Sequence, residues 1–203
     1  MTPPTHTGAH METVRSADGT TIAMDRSGQG PPLIVVVGAF CDRSASKPLA
    51  ALLADRYTVL EYDRRGRGDS GDAARYAIER EVEDFDAVVT AAGEPPFVYG
   101  HSSGGALALE AAAAGVALRK VAVYEVPYTG RDPGPAYAEA LDELAASGRQ
   151  DEAAERFLAL TGAPPEIIAS IKASPGWPRM RALDLVGGFQ AWRAAGLPVF
   201  PAS

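Results

Sequence analysis

A chain of 203 residues, 46% hydrophobic and 22% charged, has the size and balance of one globular domain able to bury a substantial core. Its net charge of −7, with Lys and Arg scattered among carboxylates, argues against a nucleic-acid partner, which needs clustered basic residues. No apolar run approaches the ~20 residues that span a bilayer, and one cysteine, Cys41, closes no internal disulfide, which fits a reducing cytoplasm.

Residues 1–11 are polar, carry Pro3 and Pro4, lack the basic and apolar stretches of a secretory signal, and read as a disordered leader. Glu12 to Ser16 and Thr20 to Arg26 are β-prone segments around Ala17-Asp18-Gly19, a hairpin signal that gives the sheet an antiparallel entry. Leu33 to Val37 is continuously apolar, as in a strand buried on both faces of a parallel sheet. Thr58 to Tyr62, Phe97 to Tyr99 and Lys120 to Tyr124 read as strands of the same type. Helical patterns at Lys47 to Asp55, Ile78 to Ala92 and Ala106 to Ala114 alternate with them, the order of a doubly wound α/β core over residues 12–129. A Pro/Gly-rich link from Gly130 to Pro135 leads into helices at Ala136 to Ala146, Asp151 to Leu160 and Pro165 to Ala173. With no strands between them, these predict a helical cap over residues 130–183, and residues 184–203 form a terminal helix and tail.

Gly100-His101-Ser102-Ser103-Gly104 is a G-x-S-x-G between a strand and a helix. A chain that turns so sharply strains its central residue and leaves room only for glycine on either side. Ser102 is therefore the candidate nucleophile. The three histidines are His6, His10 and His101, so no histidine follows the serine. Neither H-x-x-x-H nor C-x-x-C occurs, and Gly28-Gln29-Gly30 precedes a strand where a dinucleotide motif follows one, so no metal or organic cofactor is expected.

Val37-Gly38-Ala39, Tyr62-Asp63-Arg64-Arg65-Gly66-Arg67-Gly68-Asp69-Ser70 and Gly100 to Gly105 follow successive strands, and together they resemble the α/β-hydrolase fold from about Thr13 to about Leu183. The resemblance implies an α/β fold with a mostly parallel central sheet, a helical cap and a serine that attacks an ester, amide or similar electrophile. It also implies an oxyanion hole built from the backbone amides of Ala39 and Ser103, and an acid and a histidine on later turns. After Leu183 the pattern departs, as if the C-terminal strands were missing. Gly187-Gly188-Phe189-Gln190-Ala191-Trp192 and Gly196-Leu197-Pro198 instead resemble the closing helix of a rhodanese-like domain, and equally fit an amphipathic helix with its stop signal.

Glu125, directly after the Val121 to Tyr124 segment, is the candidate acid or a strand-end residue that touches the cap. His101 adjoins the serine, but neighbours on such a turn point apart, so it reads with Phe40 and Cys41 as part of the pocket wall or its support. Asp63 and Arg64 brace the loop after the fourth strand, and Arg67-Gly68-Asp69 is ordinary for that loop rather than an adhesion signal.

Two functions fit these residues. One is a serine hydrolase of a small ester or similar acyl substrate, slow without a later histidine. The other is a non-catalytic or truncated relative that binds a small molecule. An unpaired sheet edge after the last strand would favour a homodimer.

Overall fold

Leu33 to Val36 contain no polar side chain, and such a strand is stable only where both faces are covered. In the computed structural model, which describes residues 10–73, 76–127 and 135–178, these residues lie in β3 (Pro32–Val36), buried along its whole length. Around it run β1 (His10–Arg15), β2 (Thr21–Gly28), β4 (Thr58–Tyr62), β5 (Phe97–His101) and β6 (Lys120–Tyr124). They form one sheet in the order β1-β2-β4-β3-β5-β6. β1 and β2 pair antiparallel, β2 meets β4 antiparallel, and β4, β3, β5 and β6 are mutually parallel. This is the α/β-hydrolase fold with its mostly parallel sheet. Fully buried Ile34, Val36, Val59, Leu60 and Leu107 anchor the core, each stabilising by roughly 1.5–3 kcal/mol.

The Asp18-Gly19 signal gives the expected hairpin, closed by Ser16 N–H to Thr20 O at 2.9 Å, with Gly19 at φ +86°. β1 starts earlier than the sequence predicts and takes in His10 and Met11 of the expected leader; residues 1–9 lie outside the described residues. The local sequence there is polar, but cross-strand pairing to Arg26 and Asp25 and the Glu12–Arg26 ion pair at 3.0 Å extend the ladder.

Three helices connect the parallel strands: α1 (Lys47–Leu53), α2 (Ile78–Ala91) and α3 (Ser103–Ala113). α2 buries Ile78, Phe85, Val88 and Val89 on one face, the helical spacing visible in the sequence. Glu81 and Asp84 share that buried face, which the apolar pattern alone does not reveal. α3 buries a surface of small residues, Gly104, Gly105, Ala106, Ala108 and Ala111, and so lies close to the sheet. A side chain at Gly104 would collide with the Val36 and Val37 carbonyls, and one at Gly100 would sit 2.5 Å from Gly105 Cα. Both positions exclude anything larger than glycine.

β6 corrects one expectation. Its sequence reads like a strand buried on both faces, yet it occupies the sheet edge, with Val123 42% and Tyr124 55% exposed. Among the described residues no strand pairs with its far side. Apolar composition measures what a strand tolerates, whereas burial depends on the neighbours it finds.

After Pro127 the chain forms a second compact unit. It contains α4 (Pro135–Ala146), α5 (Gln150–Leu160) and α6 (Pro165–Lys172). Leu141, Leu144 and Ala153 make its small core, flanked by Tyr137 and Phe157. Trp177 Nε1 donates to Asp151 Oδ1 at 3.0 Å, and Pro165 begins α6 where a missing N–H costs nothing. The link before Pro135 and the terminal helix and tail over 184–203 lie outside the described residues. No helix among the described residues is long and apolar enough to cross a membrane.

Candidate functional site at the carboxyl ends of the strands

Among the described residues, three non-glycine residues lie in the left-handed region: Phe40 (φ 57°), Ser102 (φ 53°) and Glu125 (φ 52°). They follow β3, β5 and β6, which are neighbours in the sheet, at the carboxyl ends where open α/β sheets carry their sites. Such conformations cost of order 1–3 kcal/mol each and persist only where surrounding contacts fix them.

At Ser102 those contacts are explicit. Its backbone, at φ 53° and ψ −127°, joins β5 directly to α3. Its N–H donates to Tyr124 O at 2.9 Å, which ties the turn to the end of β6. Its carbonyl accepts from Gly105 N–H at 2.9 Å and Ala106 N–H at 3.2 Å, starting the helix. Ser103 is then the first residue of α3, where an N–H has no intrahelical acceptor and the helix dipole favours negative charge.

The turn after β3 lies against this elbow. A Cβ at Gly38 would stand 3.1 Å from Ser102 Cβ and 3.4 Å from His101 Nδ1, so glycine here lets Ala39 and Phe40 approach the serine. Phe40 is buried, and Cys41 is partly buried with its thiol pushed up by burial and by Asp42, against the opposing charges of Arg67 and Arg64. A raised thiol disfavours the reactive thiolate.

The loop after β4 holds both halves in place. Arg67, only 5% exposed, donates from Nη1 to Gly38 O at 2.9 Å and Cys41 O at 3.4 Å, bracing the β3 turn. Arg67 thus faces the β3 turn rather than solvent. Arg64 Nη1 donates to Ser103 Oγ at 3.0 Å, while its Nε and Nη2 form a bidentate pair with Glu81 at 2.5 Å each. Burial raises the Glu81 carboxyl, but the Arg64 charge and hydrogen bonds, helped by Arg67 and Tyr76, outweigh it and hold the group at about 2. Asp63, fully buried, accepts from the amides of Arg43 at 2.7 Å and Asp69 at 2.8 Å and pairs with the Arg43 guanidinium. Asp63 and Arg64 therefore brace the loop as their sequence positions predict. The roles of Arg67 and Glu81 escape sequence reasoning, since their partners lie 29 and 17 residues away along the chain.

His101 and Glu125 come together. Their side chains, 44% and 67% exposed, place Nε2 3.9 Å from Oε2, and the imidazole stacks on Tyr124 with centroids 5.9 Å apart and planes at 24°. The carboxylate of Glu125 raises the Tyr124 phenol. His10 is elsewhere: β2, β4 and β3 separate its strand from β5, a lateral distance on the order of 19 Å at about 4.8 Å per strand. His6 lies outside the described residues.

Residues 33–203 match the model of the alpha/beta hydrolase family. The chain belongs to that family. A solved alpha/beta hydrolase from Sphaerobacter thermophilus is 47% identical, with the match covering 85% of this chain and 69% of that one at a TM-score of 0.79. YraK of Bacillus subtilis, described as an uncharacterized hydrolase, is 32% identical over 96 residues, 45% of this chain and 35% of that protein. EphD of Mycobacterium tuberculosis is 34% identical over 98 residues, 45% of this chain and 17% of that protein. The chain thus spans about a third or less of the curated relatives it matches.

Proposed function

We propose that this α/β-hydrolase family member is a serine hydrolase of small ester or related acyl substrates, with Ser102 as nucleophile. The observation that carries the reading is the strained Ser102 backbone at the β5–α3 turn, fixed by the Tyr124 carbonyl and flanked by the β3 turn. In this reading Ser102 Oγ attacks the acyl carbon, and the developing oxyanion is held by the amides of Ala39 and Ser103. One such donor is worth about 10²–10³ in kcat. Arg67 and Arg64 of the β4 loop brace the donor segments, through Gly38 O and Ser103 Oγ. Oxyanion hole and binding alone give about 10³–10⁴ over the uncatalysed rate, so any greater activity needs a base.

The test is the intact mass of the 203-residue chain after incubation with a fluorophosphonate, beside Ser102→Ala. The expected result is one adduct on the wild type and none on the variant. A folded wild-type protein that takes up no adduct overturns the serine reading and leaves a small-molecule binding module.

A further inference from the structure

Sequence reasoning sets His101 in the pocket wall because adjacent side chains on an elbow diverge. The structure gives that divergence a different consequence. His101 Nδ1 and Ser102 Cβ both flank the side-chain position of Gly38, at 3.4 and 3.1 Å from it, which sets the ring nitrogen and the serine β-carbon beside the same residue. On the other side of the ring, Nε2 faces Glu125 Oε2 at 3.9 Å. A carboxylate at Nε2 favours the tautomer with its proton there, which leaves the lone pair on Nδ1, the nitrogen on the serine side. Glu125 holds this position from a left-handed backbone directly after β6, a strain that a merely solvated glutamate has no reason to keep. Tyr124 stacks on the imidazole while its carbonyl accepts the Ser102 N–H, and His101 pairs with Tyr124 in the β5–β6 ladder. Serine, histidine and glutamate thus stand on one rigid block of two paired strand ends.

We propose that His101, oriented by Glu125, is the general base for Ser102, acting through one bridging water. The water takes the Ser102 hydroxyl proton as it passes its own to His101 Nδ1, and Oγ forms the bond to the acyl carbon. Collapse of the tetrahedral oxyanion breaks the bond to the leaving group, which recovers the proton by the same route. A hydrolytic water then attacks the acyl-enzyme and gives its proton to His101, and collapse of the second tetrahedral oxyanion returns that proton to Ser102 Oγ as the acid leaves. Both carbonyl-addition steps use the same base, and no oxidant or further reactant enters. Glu125 is a positioning residue, since it acts through the imidazole and the Tyr124 phenol stacked on it.

The inference rests on the serine reading, and fluorophosphonate labelling rates separate the two. In a wild type that labels at Ser102, His101→Gln and His101→Ala should label about 10²–10⁴-fold more slowly. Glu125→Gln should show a smaller loss, and added imidazole should restore the rate of His101→Ala but not that of Glu125→Gln. Far-UV circular dichroism matching the wild type shows that a variant is folded; if both His101 variants fail that check, the Glu125→Gln rate decides. Histidine variants that label at the wild-type rate overturn the proposal while the serine reading stands. Slow labelling that imidazole does not restore, with Glu125→Gln unaffected, reduces His101 to a pocket wall and also overturns it. A wild type that never labels overturns both.

Discussion

Replacing Arg64 by methionine isolates one buried ion pair that braces the site. The guanidinium forms two 2.5 Å hydrogen bonds with Glu81, and the two side chains are only 4% and 2% exposed. In Arg64→Met the Glu81 carboxylate stays buried with Tyr76 as its remaining hydrogen-bond partner. Breaking such a pair from one side costs about 3–5 kcal/mol, because an uncompensated charge remains in the interior. Against a typical total of about 5–15 kcal/mol, that is a large fraction of the stability. Glu81→Leu should cost a similar amount by stranding the guanidinium. The double variant Arg64→Met/Glu81→Leu leaves neither charge buried and should lose far less than the sum of the singles, a coupling of several kcal/mol. Urea unfolding at neutral pH measures this, followed by far-UV circular dichroism and by amide exchange in β3 and β5. Tryptophan fluorescence would miss it, since Trp177 and Trp192 both follow Pro127. Single losses under about 1 kcal/mol, or a double variant that loses the full sum, would refute the claim that this pair locks the β4 loop to α2.

The same carboxylate predicts an acid response. Its folded value of about 2 lies below the ordinary 4.5, so its stabilisation is complete above pH 4.5 and is lost as the pH falls toward 2. The urea midpoint should drop over that interval, and Glu81→Gln should flatten the drop. Two glycine variants separate fold from site. Gly104→Ala drives a methyl into the Val36 and Val37 carbonyls and should cost more than about 3 kcal/mol in urea unfolding. Gly38→Ala meets Ser102 Cβ, His101 Nδ1 and His101 O as its nearest neighbours, at 3.1–3.4 Å. It should lose about 1 kcal/mol or less yet slow fluorophosphonate labelling at least tenfold. Equal effects of the two on labelling per unit of lost stability would show that Gly38 acts only through the fold.

Some of this was legible because its causes are local. The G-x-S-x-G turn declares itself through sterics within five residues, and the structure has Ser102 between a strand and a helix, as that spacing requires. The hairpin at Asp18-Gly19 and the apolar face of α2 were equally local. Leu33 to Val36 marked the interior of the sheet because a strand without polar side chains has no solvent face to offer. Lys120 to Tyr124 shows the limit of that argument, for similar composition sits at the exposed edge.

The sequence by itself determined the order of strands and helices, the parallel core and the one serine held in a strained turn, since each follows from periodicity, chain sterics or a few adjacent residues. Tertiary structure alone decided which groups meet that serine. Gly38, Tyr124 and Glu125 arrive from two other strands, and Arg64 finds its partner 17 residues away on the buried face of a helix. It also carried His10 to the far side of the sheet and turned His101 toward Glu125. Such pairings depend on strand order and on burial, which set distances between residues remote in sequence, and no local pattern encodes them.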